Sequence, residues 1–218
     1  MIYCIGDSHS SVFTGKGSRG KDYMTPIWPQ RGDNTNPNFR AYNIGPATAY
    51  QLSNKENLIS DLLTSEATVA SKVLFCFGEV DIRAHLIKQS HAQKRPVEGI
   101  VKECVDRYSR TLSDFHKKGY SVWAWGPIAS NPEELPYKGL EGAGPIYGDC
   151  ARRNSVTKIF NDMLEQNCKE RDLGFVSIFD DMVLPNGNTK EELIMDHIHL
   201  SQEAMPLIIE EFTKKGLL

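Results

Sequence analysis

The sequence of 218 residues has no apolar run approaching the roughly 20 residues that cross a bilayer, so a membrane is not an expected partner. It has no basic excess either. Its 25 Lys and Arg stand against 28 Asp and Glu, for a net charge of −3, which leaves no general attraction for phosphate backbones and argues against nucleic acid. Cysteines number only five, an odd count, and none are spaced C-x-x-C; that pattern fits free thiols in a reducing compartment. Cys4 and Cys76 lie inside apolar runs, where a thiol packs as a small hydrophobe. The first residues pass straight into Gly6-Asp7-Ser8 with no basic segment and no apolar stretch of signal length. Free thiols without an export signal give a cytoplasmic expectation. Repeats, low-complexity tracts and linkers are absent, and the expectation is a single domain over residues 1–218.

Four short apolar runs rich in β-branched and aromatic residues are present at residues 2–5, 73–77, 121–125 and 175–179, with a weaker fifth at 41–44. Segments with helical periodicity separate them, at about 47–63, 96–118, 151–171 and 201–215. Strands alternating with helices predict an α/β fold built on a parallel, doubly wound sheet. Pro96 suits a first helical turn, Gly119 and Gly174 suit left-handed caps, and Ser201 with Glu203 suits the start of the last helix. Trp123 and Trp125 are expected in the core. Two stretches dense in Gly, Pro, Asn and charge, 14–39 and 128–149, follow predicted strands and are expected to wall a site at the carboxyl edge of the sheet. Trp28, Tyr137 and Tyr147 sit in these loops as anchoring or stacking aromatics.

Gly6-Asp7-Ser8-His9-Ser10 follows the first strand and opens a short helix, which places the Ser8 hydroxyl at a strand-to-helix turn. Serine is a poor nucleophile without a base that is itself oriented by a third group. Asp196-His197-Ile198-His199-Leu200, just before the last helix, supplies both, because Asp-x-x-His within one turn lets the carboxylate reach the imidazole. Ser8 is therefore the expected nucleophile, His199 its base and Asp196 the orienting group.

Gly-Asp-Ser near one end with Asp-x-x-His-Leu near the other resembles the SGNH/GDSL hydrolase family, and the two motifs frame nearly the whole chain. That resemblance implies a flavodoxin-like three-layer α/β/α sandwich, a Ser-His-Asp esterase or deacylase mechanism with a covalent acyl-enzyme, and no metal or organic cofactor. It also implies an oxyanion hole from the Ser8 and Gly45 amides, Gly45 matching the family's second block. The third block departs: the family's Gly-x-Asn-Asp reads here Gly78-Glu79-Val80-Asp81, and Val80 has no side-chain donor. Losing one such donor costs about 10²–10³ in turnover. Arg83 is expected either to help bind an oxyanion or an acidic substrate group, or to pair with Glu79 or Asp81; Asp81 and His9 are counted with it as candidate pocket residues. His197 also lies between the triad partners, while His91 and His116 are expected at the surface.

The substrate expected is a small acylated molecule, such as an O-acetylated carbohydrate. Three other readings share these residues. The acyl group could pass to a sugar or amine acceptor instead of water. Asp7-x-His9, Gly78-Glu79-Val80-Asp81-Ile82-Arg83 and His197-x-His199 loosely resemble a two-metal phosphoesterase, although that family's Gly-Asn-His block is missing. A degenerate hydrolase that only binds an acylated ligand is the non-enzymatic reading. No motif indicates oligomeric state.

Overall fold

Alternating side chains along each strand divide between two cores, as expected for a sheet buried on both faces. In the computed structural model, which describes residues 1–15, 29–32, 35–132, 146–196 and 198–218, the sheet contains β1 (Ile2–Gly6), β2 (Gln30–Arg31), β3 (Phe39–Asn43), β4 (Lys72–Cys76), β5 (Ser121–Trp125) and β6 (Gly174–Val176). Their order is β2-β3-β1-β4-β5-β6. Every pairing is parallel except that of β2 with β3. Without the two-residue edge strand β2, the parallel strands follow the flavodoxin-like order second, first, third, fourth, fifth, whose switch point lies between β1 and β4.

One face of the sheet presents Ile5, Val73, Phe75, Val122 and Ala124 to α1 (Glu56–Glu66), α4 (Val97–Lys117) and α5 (Cys150–Glu170). The other presents Ile2, Cys4, Leu74, Cys76 and Trp125 to a 3-10 helix at Ser8–Thr14, to α6 (Phe179–Met182) and to α7 (Met205–Lys214). Here Phe13, Phe39, Trp125 and Phe212 form an aromatic cluster with ring centroids 5.2–5.9 Å apart, a spacing that favours edge-on and offset contacts. The result is the three-layer α/β/α architecture. Among the described residues, no helix is long and apolar enough to cross a membrane.

Trp125 is buried as expected, while Trp123 packs half-buried on the second core. The run at 175–179 does not remain extended: β6 stops at Val176, and the Ser177 hydroxyl accepts the Phe179 amide at 3.1 Å and starts α6. Gly119 takes the expected left-handed conformation (φ 95°), but Gly174 does not; Asp172 turns the chain instead (φ 56°). Gly174 is needed for space, since a Cβ there would fall 2.1 Å from the Trp123 ring. The long loops are described only in part, and Trp28 and Tyr137 lie outside the described residues.

Between β4 and α4 the sequence pattern predicts no helix, yet α2 (Glu79–Asp81), a π-helical turn at Ile82–Leu86 and α3 (Ile87–Gln93) follow one another there. They start from Gly78 at φ 117°. Polar residues and the wide turn blur the 3.6-residue period that would have revealed them. Asp81 fixes this segment to the loop after β3. Its carboxylate accepts the Ala49 amide at 2.7 Å and the Tyr50 amide at 3.0 Å, and the Cys104 thiol lies 3.4 Å away. The sequence placed Asp81 among candidate substrate or oxyanion residues; the structure uses its oxygens as a backbone brace, and an ionised carboxylate has no proton to donate to an oxyanion.

Burial pushes the Asp81 carboxyl up to about 6, against the lowering effect of the Tyr50 and Ala49 amides. With the folded value above the unfolded one, its contribution to stability is complete below the unfolded value of 3.8 and is lost as pH rises through about 6. Asp81→Ala, which orphans both amides, should lower unfolding free energy by about 1–3 kcal/mol in urea titrations at pH 7. Asp81→Asn should flatten the fall in stability between pH 3.8 and about 6; an unchanged slope would mean that another group titrates there.

Candidate active site

β1 ends at Gly6 against Cys76 of β4 and Asn43 of β3. A Cβ on Gly6 would lie 2.8 Å from the Cys76 carbonyl oxygen, so only glycine lets the chain leave the sheet here. Asp7 then caps the 3-10 helix, its carboxylate accepting the His9 amide at 2.9 Å. Ser8 is the helix's first residue and is half-buried. Its own N–H has no acceptor within the helix.

At the other end of the chain, a bridge between Ile194 and Leu200 closes a tight loop, reinforced by the Met195 amide donating to the His199 carbonyl at 2.8 Å. Inside it, Asp196 accepts the amides of Ile198 at 3.3 Å and His199 at 3.1 Å. The same carboxylate lies 2.9 Å from His199 Nδ1 through each oxygen. His199 Nε2 is 2.7 Å from Ser8 Oγ. An ionised carboxylate can only accept, so Nδ1 carries the proton and Nε2 of the neutral ring accepts from the Ser8 hydroxyl. Burial pulls the His199 imidazole below its ordinary value, with His9 adding to the effect and Asp196 opposing it. The arrangement can remove a proton from Ser8 and hold the resulting imidazolium against Asp196.

The residues expected around this line are placed differently. Gly45 has a left-handed backbone (φ 84°), but its N–H donates to Asn43 Oδ1 at 2.9 Å. The expectation of an open Gly45 donor is therefore corrected: the neighbouring buried asparagine occupies that amide. Val80 is half-buried on α2 and offers no side-chain donor. Arg83 takes the pairing alternative, its Nε donating to Glu79 Oε1 at 2.7 Å. His9 stands 2.8 Å through Nε2 from Glu79 Oε2, with its ring centroid 4.9 Å from that of His199.

Sequence reasoning named Glu79 only as a partner for Arg83 and missed its contact with His9 beside the base. The spacing of Glu79 from Arg83, four positions on, brings those two together on a helix, as the pairing alternative had it, but carries no signal for His9. Burial alone would raise the Glu79 carboxyl, yet His9 and Arg83 outweigh it and hold the group at about 2. Burial likewise depresses His9, but the Glu79 and Asp7 carboxylates prevail and keep it above its ordinary value. Among the described residues no three His, Cys, Asp or Glu side chains are arranged to hold a metal ion. His197 lies outside the described residues. His91 is exposed, as is His85, and His116 is half-buried. Tyr147 packs against the π turn, its amide donating to the Arg83 carbonyl at 3.0 Å.

No protein-family model and no curated protein matches the sequence. Solved structures do match the fold. A GDSL-like lipase from Bacteroides thetaiotaomicron aligns with a TM-score of 0.59 at 12% identity, over 98% of this chain and 85% of its own. An acetyl xylan esterase, AlAXEase, aligns with a TM-score of 0.54 at 14% identity, over 98% of each. A catalytic mutant of an acetylxylan esterase from Geobacillus stearothermophilus gives 0.52 at 13% identity, over 98% and 92%. At such identities the likeness is one of architecture, and on that ground this chain has the three-layer α/β/α fold of the SGNH/GDSL lipases and esterases.

Proposed function

We propose that the chain is a serine esterase in which Ser8 attacks an ester carbonyl, His199 takes the Ser8 proton and Asp196 orients and stabilises His199. The observation that supports it is the continuous line from Asp196 through His199 to Ser8, with contacts of 2.9 and 2.7 Å. Attack forms the Ser8 Oγ–carbon bond, and collapse expels the alcohol, which receives the proton from His199 Nε2. Water then repeats the sequence on the acyl-enzyme with His199 as base.

The Ser8 amide is the oxyanion donor on this reading. Gly45 joins it only when Asn43 turns away, and Val80 contributes nothing. Two preorganised donors fewer than a full hole predict a modest turnover. The substrate favoured is a small acyl ester, with acetate on a carbohydrate as the leading case, because two of the structures sharing the fold are described as acetylxylan esterases. All five cysteines are free and buried, which fits a reducing compartment such as the cytoplasm.

The test is hydrolysis of p-nitrophenyl acetate with chelator present throughout. Ser8→Ala and His199→Ala should each lower kcat by about 10⁴–10⁶, and Asp196→Asn by about 10⁴, with circular dichroism unchanged. Turnover that survives in Ser8→Ala, or that the chelator removes from the wild type, would refute the serine mechanism.

A further inference from the structure

A second set of charged groups lies against the triad and takes no part in the bond-making steps above. Arg83, Glu79 and His9 are only 4%, 7% and 8% exposed, and they are joined in sequence by the 2.7 Å Arg83–Glu79 and 2.8 Å Glu79–His9 contacts. A charge so removed from water has to be balanced by the protein itself. Four groups are involved among the described residues: the carboxylates of Asp7 and Glu79, the guanidinium of Arg83 and the His9 ring. Glu79 divides its charge between Arg83 and His9, and burial raises the Asp7 carboxyl; where Asp7 is ionised as well, Arg83 balances one carboxylate and a His9 protonated on both nitrogens balances the other. His9 Nδ1 has no hydrogen-bond partner among the described residues. With Asp7, Glu79, Trp125 and Pro127 it lines a cavity of about 10 Å³, too small for a substrate.

Its ring does adjoin His199, at 4.9 Å between centroids. The groups facing His199 are Ser8 and His9 from the 3-10 helix, Asp196 from its own loop and Glu79 from α2. Those facing His9 are Asp7, Glu79, Arg83 and His199. We propose, resting on the esterase reading, that His9 is a positioning residue: a buried imidazolium, fixed by the Arg83–Glu79 pair, that acts through His199 to keep the triad imidazole neutral and ready to accept the Ser8 proton. A cation at that distance disfavours a second cation on His199. The proton that His199 takes from Ser8 is then released readily to the departing alkoxide; the cost is a weaker base in the first half of the transfer, which Asp196 offsets by holding Nδ1. The charge is supplied by Glu79, a residue in the block where this sequence carries Val80 in place of a donor.

Ring-nitrogen NMR of the Ser8→Ala protein reads this without requiring turnover. His9 should be protonated on both nitrogens at pH 7, and adding His9→Gln should raise the His199 titration midpoint by about one unit. In the active protein, His9→Gln should move the acid limb of kcat/KM for p-nitrophenyl acetate upward by the same amount. Glu79→Gln provides a second approach, since its removal should leave His9 neutral at pH 7. A His9 that is neutral at pH 7 in the Ser8→Ala protein, one that stays doubly protonated in Glu79→Gln, or a His199 midpoint unmoved by His9→Gln in a folded protein overturns the proposal. A wild type with no esterase turnover but with the predicted NMR shifts would instead count against the esterase reading alone.

Discussion

The hydrogen bond between Ser8 Oγ and His199 Nε2 joins residues 191 positions apart, and its formation depends on a parallel sheet. β1 occupies the middle of that sheet and delivers Ser8 to the carboxyl edge at the topological switch point, the crevice where open α/β folds receive ligands. The C-terminal loop reaches the same edge because α7 packs Ile208 and Phe212 beneath it, into the core that also holds Phe13 of the Ser8 helix. The aromatic cluster therefore does more than fill space. It holds the first and last functional segments of the chain against one another, within hydrogen-bond range.

Around that contact, polar side chains are engaged closely by the protein. Asp196 uses both oxygens on His199 and two loop amides, Asp81 braces the loop after β3, and Asn43 occupies the Gly45 amide. Glu79 divides its oxygens between Arg83 and His9. A site so internally satisfied is stiff, which suits preorganised acyl transfer, but it offers few free donors to an oxyanion.

Much of this architecture is written in local patterns. The strand at 121–125 coincides with its apolar run, and the long helices fall within about a residue of their periodic segments. Ser8, Asp196 and His199 could be singled out because motif spacing encodes neighbours in a short turn and position near a strand end encodes exposure. What escaped is what depends on distant partners. Glu79 and His9 are 70 positions apart, and nothing in either segment names the other. Asn43 capturing Gly45, and Gly174 making room for Trp123, are likewise decided by packing. The helices at 79–93 escaped for a local reason, the π turn that interrupts their period.

The central claim is that Ser8 is a nucleophile activated by His199. Reaction with a fluorophosphonate, followed by intact mass and peptide mapping, tests it most directly. The account predicts a single adduct on Ser8 that forms far more slowly in His199→Ala. A folded wild-type protein that takes no adduct, or takes one elsewhere, would contradict it.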